Sequence, residues 1–169
     1  MRKEGDEKEM KKIGSVYTIR GCASENESEA TNPWGNGIRI PLFDGRFDTG
    51  YRVEEFYVWP QNFSGNSQPD VLGKLTSSGE CSAAPSVFFN AADNREIAWS
   101  AGLGQTDGNT GVMGQAVIDP ENMTVEDLFF FARGATDTAQ VNYLAVLQKY
   151  DISEWEGSLI MARDHQRGD

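Results

Sequence analysis

The chain has 169 residues, enough for one domain that buries about 70% of its unfolded surface and folds without disulfide or metal staples. Its 26 acidic against 15 basic residues give a net charge of −11, the wrong sign for coating nucleic acid, where Lys and Arg must displace phosphate counterions. No apolar run approaches the ~20 residues of a membrane-spanning helix and no apolar segment follows the charged start, so neither a membrane partner nor a secretory signal is read.

Residues 1–14 alternate Lys, Arg, Asp and Glu with almost nothing apolar, and read as a charged, flexible N-terminal arm that orders on contact with a partner. A first strand is expected over 15–20 (SVYTIR), then a long polar connection over 22–37. A second strand over 38–43 (IRIPLF) is confined to an edge or bulge by Pro41. Two turn signals at 44–50 (DGRFDTG) lead into a third strand over 51–59, whose alternation slips at Glu54–Glu55 and predicts a bulge there.

Short strands follow at 71–76, 86–90, 95–101 and 112–118, separated by loops rich in Gly, Ser and Asn. In the strand over 95–101, Ile97, Trp99 and Ala101 share one face. Residues 119–123 (DPENM) spell a single helical turn, capped by Asp119 with Pro120 behind it. The apolar runs 124–133 and 140–150, divided by the polar turn 134–139, predict a β-hairpin at the centre of a sheet. Its core face is assigned to Leu128, Phe130, Leu144 and Val146. The opposite face, Phe129, Phe131, Tyr143 and Leu147, is too apolar for solvent and needs a cover.

Ser153 and Glu156 form a capping box for a short helix to about His165, with Trp155, Leu159 and Ala162 on one stripe. The sum is an all-β fold: an antiparallel two-sheet sandwich of eight or nine strands, jelly-roll-like, with a short C-terminal helix. Three parts follow: the arm at 1–14, the sandwich at 15–152, and the helix and tail at 153–169.

The residue types that carry catalysis are sparse, and no catalytic residue is assigned. The one histidine, His165, lies in the polar tail, far from a nucleophile that needs a base. Glu126 and Asp127 adjoin on a strand, point to opposite faces and cannot work as a glycosidase pair. Gly102 and Gly104 precede a strand and lack the lysine of a phosphate loop. Cys22 and Cys81 fall in loops and read as free thiols, without metal-ligand spacing. Asp44, Asp48, Asp107 and Asn109 sit in Gly-rich turns of a kind that cages calcium, but lack the regular spacing of an EF-hand; turn chemistry is the simpler reading. No cofactor is expected.

The aromatics are the stronger candidates. Trp34 lies between Pro33 and Gly35 in a polar loop, where an exposed ring anchors an interface. Trp59, Trp155 and Leu159 are the other interface candidates, while Trp99 and residues 129–131 are assigned to the core. Trp34, Trp59 and Trp99 with Tyr51 and Tyr57 also suit a platform that stacks on sugar rings.

The order IDPENMTVEDLFFFARG (118–134) and VNYLAVLQKYDISEWEGSLIMARDHQRG (141–168), with IRIPLFDG and NAADNREIAWSAG upstream, resembles small virion proteins of marine bacteriophages. The resemblance covers about half the chain and implies a β-sandwich or jelly-roll subunit of the head or its decorations, with no catalytic residues. It implies a protein made in the host cytoplasm and built into the virion, whose partners are copies of itself, as a trimer or higher homo-oligomer, and other virion proteins. A rigid sandwich with an arm and a terminal helix that reach neighbours suits that role, and the acidic balance argues against lining the genome. The residues leave open a carbohydrate- or receptor-binding sandwich using Trp34 or Trp59, and an enzyme with an unrecognised carboxylate site.

Overall fold

The computed structural model describes residues 10–24, 37–61, 70–79, 89–102, 115–134, 140–152 and 154–165. Its organising element is β9 (Gln140–Asp151), the strand around which one sheet is built. Along one side of β9 run β1 (Lys11–Lys12) and β2 (Tyr17–Ser24); along the other runs β4 (Thr49–Pro60). The second sheet has the order β3 (Ile38–Ile40), β8 (Leu128–Gly134), β5 (Val71–Thr76), β6 (Glu96–Gly102) and β7 (Gln115–Ile118). All pairings are antiparallel, and the sheets pack face to face as a sandwich.

The winding is jelly-roll-like. Counting inward from both ends of the chain, β2 lies beside β9, β3 beside β8, β4 packs against β7, and β5 lies beside β6. This order overturns the expected hairpin. Strands β8 and β9 follow one another in sequence but belong to different sheets, so the chain crosses the sandwich between them. Apolar alternation identifies a strand; it does not say which strand pairs with it.

The core joins Val53, Phe56 and Val58 of β4 and Val141, Tyr143, Ala145 and Leu147 of β9 to Leu75, Ile97, Ala98, Leu128 and Phe130 of the other sheet. Phe130 is fully buried, with its centroid 4.1 Å from that of Tyr143 and 6.0 Å from that of Phe56. Each such side chain contributes roughly 1.5–3 kcal/mol by leaving water. Leu128 and Phe130 therefore face inward as expected. Leu144 and Val146 do not: they are half-buried on the outer face, and Tyr143 and Leu147 hold the core. On β8's outer face Phe131 is nonetheless buried, with Gly37 against its ring.

The expected bulge is present as a register shift between Val53 and Glu55. A second shift, opposite Leu75 and Thr76, turns both Ile97 and Ala98 into the core and leaves Glu96 and Trp99 on the outer face, where continuous alternation had grouped Ile97 with Trp99. In place of the expected helical turn over 119–123 stands a hydrogen-bonded turn at 119–122, with Asp119 capping it as read: it accepts from the Glu121 N–H at 2.9 Å through its side chain and from the Asn122 N–H at 3.1 Å through its carbonyl. Of the arm, Lys11 and Lys12 join the sheet and the Ile13 N–H bonds the Lys149 carbonyl, because backbone pairing requires no apolar side chain. Strand β2 also runs on to Ser24, into the stretch read as a loop.

Candidate functional site

The features that suit contact with another molecule gather at the end of the sandwich where β9 runs out. Helix α1 (Glu154–His165) follows β9 almost at once and folds back over that end. Beneath it Met123, Val125, Tyr150 and Ile152 form a second apolar cluster, joined by Ile160 and Met161 of the helix. The helix docks through Gly157, whose missing side chain admits the Phe47 carbonyl oxygen; any Cβ there would collide with it. The inward stripe is thus Gly157, Ile160 and Met161. Leu159 and Ala162, the stripe expected to lie across a sheet or a neighbour, are exposed and do not cover this sheet, with Leu159, an interface candidate, 50% exposed. The side chain of Trp155 lies outside the described residues.

The loop before β4 closes the same end. Gly45, at φ 85°, makes the turn that brings Asp44 back onto β9 and β4, where it accepts from the Lys149 ammonium and from the Thr49 hydroxyl at 3.3 Å. The Lys149 partner is the main reason why the Asp44 carboxyl is held below its ordinary value of 3.8; in return the carboxylate raises the Lys149 amine. Asp48 is held by Arg46 in a two-pronged pair, at 2.8 and 2.7 Å. Of the turn residues considered for calcium, Asp44 and Asp48 therefore each hold a side-chain cation, while Asp107 and Asn109 lie outside the described residues. Among the described residues no group of three or more His, Cys, Asp or Glu is placed to hold a metal ion.

Around this closed end stand exposed apolar side chains. Eight large hydrophobic residues are exposed among the described residues, and six of them, Met10, Val16, Tyr17, Phe43, Phe47 and Leu159, belong to the segments that meet here. Phe43 packs against Phe47 with the rings tilted and their centroids 5.3 Å apart, and Tyr17 meets Tyr51 edge-on at 6.0 Å. Met10 and Leu159 line a cleft of about 530 Å³ whose wall includes Arg52, Met123, Ile152 and Ile160. Sequence reasoning missed Phe43 and Phe47. The signal was there, since a phenylalanine inside a turn such as DGRFDTG has no sheet face to enter.

A different arrangement occupies the outer face of the five-stranded sheet. The Lys74 ammonium donates to Glu96, with side chains 1% and 2% exposed. The other Glu96 oxygen accepts from the Asn90 N–H at 2.8 Å and the Trp99 indole N–H at 2.6 Å. Trp99 is thus half-buried on this outer face, not in the core. Beside it Asp93 is gripped by Arg95 at 2.8 and 2.7 Å, which holds the Asp93 carboxyl below its ordinary value. A lysine and a carboxylate in contact are the parts of an acid–base site, but this pair is closed off from solvent and its carboxylate already accepts from three donors.

The remaining candidates scatter. Trp59 is half-buried on the outer face of the four-stranded sheet, with exposed Tyr57 two residues before it and Asn142 opposite. Tyr51 is buried, under the Lys149 ammonium at 5.4 Å. Trp34 and Cys81 lie outside the described residues, and Cys22 is an exposed free thiol on β2. No family model matches the chain, and neither a curated protein nor a solved structure is significantly similar to it.

Proposed function

We propose that the protein is a non-enzymatic structural subunit that assembles with copies of itself, in a virion as a capsid or capsid-associated component. The observation that carries this reading is the gathering of six exposed apolar side chains around the α1 end of the sandwich. Apolar residues scattered over a surface need no explanation, but their convergence on one end marks a contact surface. The jelly-roll winding adds weight, because capsid subunits and lectins share it, though a fold does not by itself assign a function. The burial of the Lys74–Glu96 pair, with three donors on the carboxylate, favours a structural over a catalytic use of the one fully buried lysine–carboxylate contact among the described residues.

Light scattering on the purified chain tests this. The expected species is a trimer or larger, broken down by Leu159→Lys and by Phe47→Ser; a strict monomer in concentrated solution refutes it. The Tyr57–Trp59 pair beside Asn142 favours the second reading, a carbohydrate-binding module. Glycan binding that is lost in Trp59→Ala and kept in Leu159→Lys would put that reading in place of the first.

A further inference from the structure

The two edges of the four-stranded sheet are treated differently. On β4, Tyr51 exchanges backbone hydrogen bonds with Thr124 at 2.7 and 2.9 Å, and the Asn122 side chain bonds both the N–H and the carbonyl of Val53, at 2.8 and 3.3 Å. The rest of β4 packs against β6 and β7. That edge is capped at Tyr51 and Val53.

Strand β2, at the opposite edge, runs for eight residues and pairs only with β9 among the described residues. Which of its backbone groups are free follows from two hydrogen bonds. Lys149 accepts from Ile13 on the β1–β2 side, and Gln140 accepts from Gln61 on the β4 side, both at 2.9 Å. Odd-numbered residues of β9 therefore face β2, and their partners Tyr17, Ile19, Gly21 and Ala23 are consumed by the ladder. The N–H and C=O groups of Thr18, Arg20 and Cys22 point away from the sheet. No proline, bulge or covering segment among the described residues blunts this edge, and Arg20 is the one charge on the strand.

The edge is also the chain's exception in charge. From Met10 to Ser24 the charged residues are Lys11, Lys12 and Arg20, so all 26 acidic residues lie elsewhere. Its start, Val16 and Tyr17, is continuous with the exposed apolar end. We propose that the free edge of β2 accepts an extended, acidic segment of a second copy of this chain, as an added antiparallel or parallel strand. The inference rests on the self-assembly reading and gives it a specific contact. Strand addition takes its affinity from the outward backbone groups, and the acid-free edge selects an acidic strand over another β2, whose Arg20 would face a like charge.

The test uses the full chain, with Thr18→Pro and Arg20→Glu. Proline at position 18 removes an outward donor and leaves the β9 ladder intact, so the fold is kept. Both variants are expected to weaken self-association by at least about tenfold in light scattering, and added salt to weaken the wild-type contact. In hydrogen exchange the Thr18, Arg20 and Cys22 amides should exchange fast in dilute monomer and slowly in the assembly. Association that is unchanged in both variants overturns the β2 contact and leaves self-assembly standing. A wild-type monomer at high concentration overturns both. Slow exchange of these amides in dilute monomer means that the chain's own 25–36 segment already covers the edge, and overturns the proposal too. Should Thr18→Pro lose the fold, Arg20→Glu and the wild-type exchange decide.

Discussion

Lys74→Met should be among the most damaging conservative changes in the chain. Lys74 lies on β5 between Trp99 and Phe131 in register, with its side chain 1% exposed and its ammonium on Glu96. Methionine keeps most of the apolar stem, so packing loss is small; what remains is a carboxylate buried without its cation. Removing one member of a buried pair costs about 3–5 kcal/mol. Glu96 would keep the Asn90 and Trp99 donors, which places the expected loss toward the lower figure. Glu96→Gln should cost a similar amount, because an amide oxygen can face Asn90 and Trp99 only if the amide nitrogen faces the ammonium. The double variant removes both charges and leaves one buried amide group short of a partner, about 1–3 kcal/mol. Urea unfolding of the four proteins gives the coupling directly, provided that the m-value is constant. A loss below about 1 kcal/mol for Lys74→Met, or single losses that simply add in the double variant, would refute the view that these charges depend on one another.

Gly157→Ala reverses the ordinary rule for helices. In a helix interior alanine is favoured over glycine by about 1 kcal/mol, but here the added methyl meets the Phe47 carbonyl, so α1 must lift. A net loss of about 1–3 kcal/mol is expected from the overpacking, read by thermal unfolding together with faster exchange in Ile160 and Met161; a stabilised variant would show that the helix is not docked there. The Asp93–Arg95 pair sets an acid limb. Because the folded state holds the Asp93 carboxyl below 3.8, mainly through the Arg95 guanidinium, its contribution is present above that value and is lost as pH falls through the lowered one. Asp93→Asn should therefore be destabilised near neutrality and converge on wild type in strong acid; a constant offset across that range would count against it. The Lys149 amine is raised by Asp44, so Lys149→Met should lose stability below 10.5 and rejoin wild type as alkali deprotonates the amine.

Local chemistry was legible wherever a few adjacent residues decide it. The bulge at Val53–Glu55 came from a slip in alternation, the turn at Asp119 from its cap, and the start of α1 from Ser153 and Glu156. Long-range pairing was not. Nothing near Lys74 in VLGKLT announces Glu96, since the two meet only once β5 and β6 are in register and the bulge at Ile97 has turned Glu96 outward. The helix's inward stripe was not legible because a glycine, not an apolar side chain, marks its closest contact.

The face of β9 was within reach. Residues 143–147 are apolar at every position, so alternation alone decides nothing there. Asn142 and Gln148, however, flank them at even positions, and so mark Leu144 and Val146 as outward. The pairing of β9 needed more. A hairpin with β8 would have put β9 in the five-stranded sheet and left β2 and β4 without the strand that joins them. Because the chain crosses the sandwich instead, β9 lies centrally between β2 and β4, and its end carries the junction of arm, loop and helix. The crossing thereby creates both surfaces on which the functional reading stands. It brings the exposed apolar residues together at one end, and beside them it leaves the basic edge of β2 without a strand partner among the described residues. A subunit that adds strands at that edge needs the opposite edge blocked, or the sheet would grow from both sides; Thr124 and Asn122 block β4 at Tyr51 and Val53.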